Sequence, residues 1–486
     1  MQVYERLAAG LRSYASLRLV TQVLSSLGTI YVIRRVGSHA LGQYAVALVV
    51  FSYLAMTYDG TLLETLVQRP PTSENRRAVV SLVTGIGLLL AGLVIALSWP
   101  LGHLVGDPEV APLVVAAASA FFVMSFGVLP QAELARQMAF TRLATIAAVQ
   151  SVCVTLTSVG LAALGAGAWA LVWGLIVGAL VRSVLLNASR WGLVRPTVHI
   201  GEALGHLRFG AILFADNLLW RWYTSLDTFL LGRWAGTTSL GYYNLAQQVA
   251  ELPLEKIATV VNDVSLPAYA ELDREEGGAA GLLLETIRTH AITGFALFWG
   301  LAAVAAYAVP VLFGDRWHAA IFPLTALAAV APVRLIGSIE TPAMTGIGRP
   351  GVLLRTKLVI APCMTVALFV ACRFWGIRGA ALAWAIVFPV CYGLVFRYVL
   401  DAARIPYRRV LQVIRGPIMS ATLMVLVVLA CERGLSSLTA SRLAILMAAI
   451  AIGALAYPVA LRLVDPEAFR LAQSRLGRFI GLRQLP

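Results

Sequence analysis

The chain has 486 residues, of which 59% are hydrophobic and only 13% charged, about half the charged share of a soluble globular protein. With a mean hydropathy of +0.81, it has too little polar sequence to cover the surfaces of soluble domains, which excludes that class. The net charge is +14, but nucleic-acid binding is excluded too, because the basic residues (all Arg except Lys256 and Lys357) sit singly or in pairs between apolar runs and form no patch.

A membrane-spanning helix needs about 20 mainly apolar residues. Such segments are predicted at 14–33, 41–66, 78–98, 110–130, 144–164, 168–189, 209–231, 237–262, 287–310, 319–340, 353–372, 378–400, 416–432 and 441–463. The first, Tyr14 to Ile33, contains Arg18 and is followed by no small-x-small pattern, so a cleaved signal is not expected. The longest connections, Arg190–Arg208 and Asp263–Thr286, are too short to fold as extramembrane domains.

About fourteen spans place both termini on one side. Of the 38 Lys and Arg residues, 24 fall on the terminal side, 8 on the opposite side and 6 within spans. The excess predicts cytoplasmic termini.

The chain also repeats itself. Residues 29–47, TIYVIRRVGSHALGQYAVA, align without gaps at an offset of 199 with residues 228–246, TFLLGRWAGTTSLGYYNLA, with seven identities. Gly37/Gly236 and Gly42/Gly241 are among them. A weaker echo links Gly165–Trp173 with Gly376–Trp384. The predicted fold is therefore an all-α polytopic membrane protein of about 14 transmembrane helices, with two parallel six-helix repeats plus two C-terminal helices. The corresponding boundaries are an N-terminal lobe over 1–208, a second lobe over 209–400, and helices 13–14 with a basic cytoplasmic tail over 401–486. Transporters built from such repeats bind substrate between the halves.

Chemistry-bearing motifs are absent. The five cysteines form no CxxC, and the histidines are scattered. Neither lysine follows a glycine, so no P-loop exists, and no GxSxG or HExxH is present. No cofactor and no enzymatic activity are expected.

Two stretches carry a family resemblance. Arg34-Arg-Val-Gly-Ser-His-Ala-Leu-Gly-Gln-Tyr44 and Asp59-Gly60 through Arg69 form the first. Asp227 through Tyr243 and Leu266-Pro-Ala-Tyr-Ala-Glu-Leu272 form the second. Together they resemble the Wzx-type oligosaccharide flippases of the multidrug/oligosaccharidyl-lipid/polysaccharide superfamily. Glu64, where that family more often has a small or apolar residue, departs from the pattern. The resemblance implies translocation of an undecaprenyl-pyrophosphate-linked sugar repeat unit across a bacterial cytoplasmic membrane by alternating access, for export of an O-antigen, capsule or exopolysaccharide. It implies as partners the lipid-linked oligosaccharide, membrane lipid, a coupling proton or sodium ion, and polysaccharide polymerase and chain-length machinery. A cation-coupled multidrug or metabolite antiporter and a lipid II flippase remain open as alternatives. A membrane polymerase or glycosyltransferase fits less well, since such enzymes usually carry a large periplasmic loop.

Ionisable residues inside spans cost about 2.5–3.5 kcal/mol each on insertion scales and so mark function. They concentrate here in spans 1, 2, 7, 8 and 10. Arg18, Arg221 and Arg334, with Asn217 one turn from Arg221, are the candidate contacts for pyrophosphate and sugar, because guanidinium forks bind phosphate bidentately. Asp59, Asp216, Asp227, Glu251 and Glu255 are candidate coupling-ion or cavity carboxylates. Their competing role is structural pairing with the same arginines. Arg221 and Glu251 fall at similar depth on adjacent antiparallel helices and could pair, with Asp227 as the other candidate partner of Arg221.

Overall fold

The computed structural model describes residues 21–58, 62–63, 66, 76–188, 204–272, 278–349, 351–438 and 441–479. Every regular element among them is helical. Hydrocarbon offers no partner to a peptide N–H or C=O, so each apolar segment closes its hydrogen bonds internally. The helices are α1 (21–36), α2 (Ser38–Thr57), α3 (Arg76–Val105), α4 (Val110–Arg136), α5 (Phe140–Ala163), α6 (Ala168–Ala188), α7 (Leu204–Leu272), α8 (Gly278–Phe313), α9 (Ile321–Gly337), α10 (Glu340–Gly346), α11 (Gly351–Leu382), α12 (Phe388–Ala402), α13 (Tyr407–Leu438), α14 (Arg442–Val464) and α15 (Pro466–Phe479).

Ten segments of the described residues are long and apolar enough to cross a membrane. The expected spans 353–372 and 378–400 form one of these, Gly351–Ala402, broken at Gly376. The expected spans 209–231 and 237–262 lie on α7, which bends at Gly236 and carries several charges. The expected first span begins outside the described residues. The tail differs from a plain basic extension: residues 466–479 form a helix whose Ala468 is fully buried.

Several of the described turns centre on one or two residues with positive φ. Gly37 (φ 87°, ψ 168°) separates α1 from α2, and Gly236 (φ 78°, ψ 162°) bends α7. Both occupy a region open essentially to glycine alone. Their near-identical torsions extend the sequence repeat to the backbone. Further positive-φ residues recur in the same order: Gly106 and Gly314, Met138 and Gly348, Gly165 and Gly376. Gly106, Met138, Gly165 and Gly348 close helices in the same way. In each, the residue after the turn donates its N–H to a carbonyl five positions back, as Asp107 does to Gly102 at 3.0 Å.

The chain divides into two compact units, Met1–Gly241 and Tyr242–Pro486. In the first, Tyr58 stacks on Phe121 with ring centroids 4.3 Å apart, within a core that includes Leu62, Leu66, Val79, Leu82 and Leu129. Gly174 and Gly178, four apart on α6, let that helix close on Ser158 and Val154 of α5, the small-xxx-small mode of membrane packing. In the second unit, the Tyr457 hydroxyl donates to the Ile292 carbonyl at 2.7 Å, tying α14 to α8. Leu88, Leu89, Leu93 and Leu97 are more than half exposed, a stripe that suits lipid contact.

The two repeated turns also meet each other within the first unit. A methyl group at Gly42 would overlap the carbonyl oxygen of Thr237, and one at Gly241 would overlap that of Ser38. Ser38 and Thr237 are themselves 199 apart, so the contact is reciprocal about a local pseudo-twofold axis. Each glycine presents only a hydrogen to the facing carbonyl, which allows a Cα–H···O contact.

Helix propensity alone predicts that Gly→Ala stabilises by about 1 kcal/mol. Overpacking against a facing backbone carbonyl costs about 1–3 kcal/mol. Gly42→Ala and Gly241→Ala are therefore each expected to lower the thermal midpoint of the purified protein. A raised midpoint for either would refute the contact.

Candidate functional site

In the first unit the intramembrane charges gather where α7 passes α2. The Arg221 guanidinium lies over the Trp220 ring, 4.9 Å from its centroid. Tyr53 of α2 donates its hydroxyl hydrogen to the Arg221 backbone carbonyl at 3.1 Å. Two turns further along, Asp227 is fully buried, and its Oδ1 accepts the Thr228 N–H at 2.8 Å. Arg221 and Asp227 both lie within electrostatic reach of the Tyr53 hydroxyl. Trp220 and Trp222 are partly exposed whereas Tyr223 is buried, so the aromatic residues around Arg221 divide between outer surface and packing. Asn217, one turn before Arg221, is half-buried.

In the second unit the pair is Arg334 and Glu251. The guanidinium donates to Glu251 Oε1 at 2.9 Å, with both side chains largely covered. Its other side lies over Trp384, 4.9 Å from the ring centroid. Gln247 reaches the same carboxylate oxygen at 3.4 Å. Arg334 is thus held between a carboxylate and an aromatic face, a geometry that a planar cation fills and an ammonium does not. The expectation that Glu251 pairs with Arg221 gives way to this contact. α9 presents Arg334 directly to Glu251, and the sequence alone left the neighbour of that helix undetermined. Glu255, one turn on from Glu251, is exposed.

Arg18 and Asp59, with Glu64, lie outside the described residues. Asp216 lies on α7, with its side chain outside them. Two intramembrane features escaped the sequence reading. Arg182 on α6 donates to Gln131 Oε1 at 2.9 Å; its position inside an apolar run was the available signal. Trp384 became a partner of Arg334 only through packing, and no spacing in the sequence encodes that contact.

A third polar group lies at the turns. Gln43 Nε2 is 3.1 Å from Asp107 Oδ2, 3.0 Å from Glu109 Oε2 and 3.1 Å from His39 Nε2. Thr237 Oγ1 bridges His39 Nδ1 at 2.9 Å and Asp107 Oδ2 at 3.0 Å. None of these residues was singled out from the sequence. The echo of Gly106-Asp107 in Gly314-Asp315 could have drawn notice to Asp107.

Comparison with known proteins fits this architecture. The family described as "Polysaccharide biosynthesis protein" matches residues 32–322, more than half of the chain. The chain is 28% identical over 438 residues to the succinoglycan biosynthesis transport protein ExoT of Rhizobium meliloti (strain 1021), covering 88% of this chain and 87% of that one. It is 26% identical over 330 residues to the lipopolysaccharide biosynthesis protein WzxC of Escherichia coli (strain K12), covering 66% of each. Among solved structures, the lipid II flippase MurJ in an inward closed conformation is similar at a TM-score of 0.77 and 15% identity, over 93% of this chain and 98% of that one. An inward-facing multidrug resistance transporter of the MATE family is similar at a TM-score of 0.56 and 16% identity, over 79% of this chain and 94% of that one. The chain belongs to the polysaccharide biosynthesis protein family and is a transmembrane transporter of the oligosaccharide flippase type.

Proposed function

We propose that the protein moves an undecaprenyl-pyrophosphate-linked oligosaccharide from the cytoplasmic to the periplasmic leaflet of a bacterial inner membrane, with both termini cytoplasmic. It is a transporter rather than an enzyme. The polyprenyl tail stays in lipid throughout. The pyrophosphate and sugars need a polar path, because ionised groups cross hydrocarbon only at a large desolvation cost. Two six-helix repeats would alternate to expose that path to one face and then the other. The observation that carries this reading is the placement of guanidinium groups inside apolar helices of a polysaccharide transporter: Arg221 beside Tyr53 and Arg334 between Glu251 and Trp384.

The two arginines take different parts. Arg221 contacts the pyrophosphate, and the neighbouring Asn217 offers an amide to phosphate or sugar. Arg334 is paired at rest, so an incoming phosphate must displace Glu251. A proton on Glu251 would release Arg334, which couples anion binding to protonation of this carboxylate. Arg18, Asp59, Asp216, Asp227 and Glu255 belong to the same path as further anion contacts or coupling carboxylates. A lipid II flippase would use the same chemistry on a different glycan. The two surface-polysaccharide relatives, ExoT and WzxC, favour the surface-polysaccharide substrate.

Deleting the gene is expected to abolish the surface polysaccharide while lipid-linked repeat units persist on the cytoplasmic face. Normal polysaccharide in a strain without a redundant transporter would sink the reading. Arg221→Ala is expected to abolish transport without loss of membrane insertion, since Tyr53 bonds the Arg221 backbone and not its side chain; transport at the unsubstituted rate would remove Arg221 from the path.

Glu251→Gln is expected to lower the thermal midpoint by an amount corresponding to about 1–3 kcal/mol, through loss of the partly buried ion pair. It is also expected to tighten binding of a polyprenyl pyrophosphate severalfold. Adding Arg334→Ala should cancel the gain in affinity, and a gain that survives the double substitution would exclude the exchange at Arg334.

A further inference from the structure

The polar group at the turns has one physical oddity. Three acceptors converge on a single amide nitrogen: Asp107 Oδ2, Glu109 Oε2 and His39 Nε2 all lie 3.0–3.1 Å from Gln43 Nε2. An amide nitrogen carries two hydrogens and satisfies two acceptors; the Thr237 hydroxyl also reaches Asp107 Oδ2, and two carboxylates crowd the same point. Gln43 is 5% exposed, so little water reaches its side of the group.

The imidazole is oriented for coordination. Thr237 Oγ1 lies 2.9 Å from His39 Nδ1 and donates to Asp107 Oδ2 at 3.0 Å. With its hydrogen committed to Asp107, the hydroxyl accepts from Nδ1–H; in the neutral ring Nε2 then carries the lone pair, 3.7 Å from Asp107 Oδ2. Coordinating histidines are held in this way, by a hydrogen bond on the other ring nitrogen. The candidate ligand atoms of His39, Asp107 and Glu109 all lie within 4.8 Å of one another. The His39 side chain is 55% exposed, so an ion can reach it from solvent.

The second repeat provides an internal comparison. The residues that correspond to Gln43 and Glu109 are Tyr242 and Trp317, at offsets of 199 and 208. They make an edge-to-face aromatic contact, with ring centroids 5.7 Å apart, and Trp317 is fully buried. The same place in the fold is thus held by apolar packing in one repeat, whereas the other gathers an imidazole and two carboxylates there. Packing alone does not call for the polar version.

We propose that His39, Asp107 and Glu109 form a binding site for a divalent transition-metal ion of the Zn2+ type, with Gln43 turning its amide oxygen inward as a fourth donor. The nitrogen ligand favours Zn2+ over Mg2+, which takes oxygen donors and dehydrates reluctantly. Thr237 is a positioning residue, and it comes from the turn of the second repeat. Metal binding therefore strengthens the meeting of the two repeated turns. The site is independent of the transport path, although its place on the periplasmic face rests on the orientation proposed above.

The test uses the full-length, tag-free protein in nanodiscs, stripped of metal and titrated with ZnCl2. Bound zinc is counted by mass spectrometry and stability is followed by thermal denaturation. The expected result is saturable binding of one zinc per chain with a rise in the thermal midpoint, and no such rise with Mg2+. His39→Ala and Glu109→Gln should each abolish that binding while leaving the metal-free midpoint near its original value. Thr237→Val should weaken affinity by about tenfold to a hundredfold, and Thr237→Ser should restore it. Absence of saturable binding, or binding unchanged in both His39→Ala and Glu109→Gln, overturns the site. A strain that exports polysaccharide normally from a chain that binds no zinc would discard the site and leave the transport reading standing. Zinc binding by a chain that fails to restore polysaccharide would support the site and count against that reading.

Discussion

Everything in this structure follows from the lack of hydrogen-bonding solvent along most of the chain. Within hydrocarbon a peptide group pairs inside its own helix or remains unpaired at a cost of several kcal/mol. Among the described residues the chain runs helical to the end of many apolar segments and turns at residues of positive φ, as at Gly37, Gly106, Met138, Gly165, Gly236, Gly314, Gly348 and Gly376. The polar groups that remain inside are then conspicuous, and some are satisfied only by neighbouring helices. Arg334 found Glu251 and the face of Trp384.

That economy makes the duplication readable at two levels. In the sequence, seven identities in nineteen residues mark one turn and its copy. In the backbone, the positive-φ positions recur in order, although Met138 and Gly348 share no side-chain identity. The torsion is retained because the helix ends there in either case, whereas the residue that provides it has changed. The Gln43–Glu109 and Tyr242–Trp317 pairs carry this further, with one place in the fold filled by polar groups in one half and by aromatic rings in the other.

The helices were legible in the sequence because hydropathy acts locally, over about 20 residues, and needs no knowledge of neighbours. The partners of the charged residues were not. Position along α7 and α9 gives the depths of Arg221, Glu251 and Arg334, but depth alone leaves open which helix faces which. Glu251 accordingly pairs with Arg334, three apolar segments of sequence away from where depth matching had paired it. The group around Asp107 was hidden for a related reason. Its members come from three separate turns, at residues 39–43, 107–109 and 237, and none of them is unusual alone. The length of α15 was also unforeseen, because its charges mask an apolar side that includes the buried Ala468.

The meeting of Gly42 with Thr237 and of Gly241 with Ser38 is made by bare backbone. Long side chains give way when two helices separate, following the motion and losing contact gradually. Glycine has nothing with which to follow. A gap of 0.5–1 Å already forfeits about a quarter to a half of a dispersion contact, and both halves of a reciprocal contact open together. This junction therefore behaves as a snap rather than a spring: it is either fully seated or gone, with no partly engaged position between.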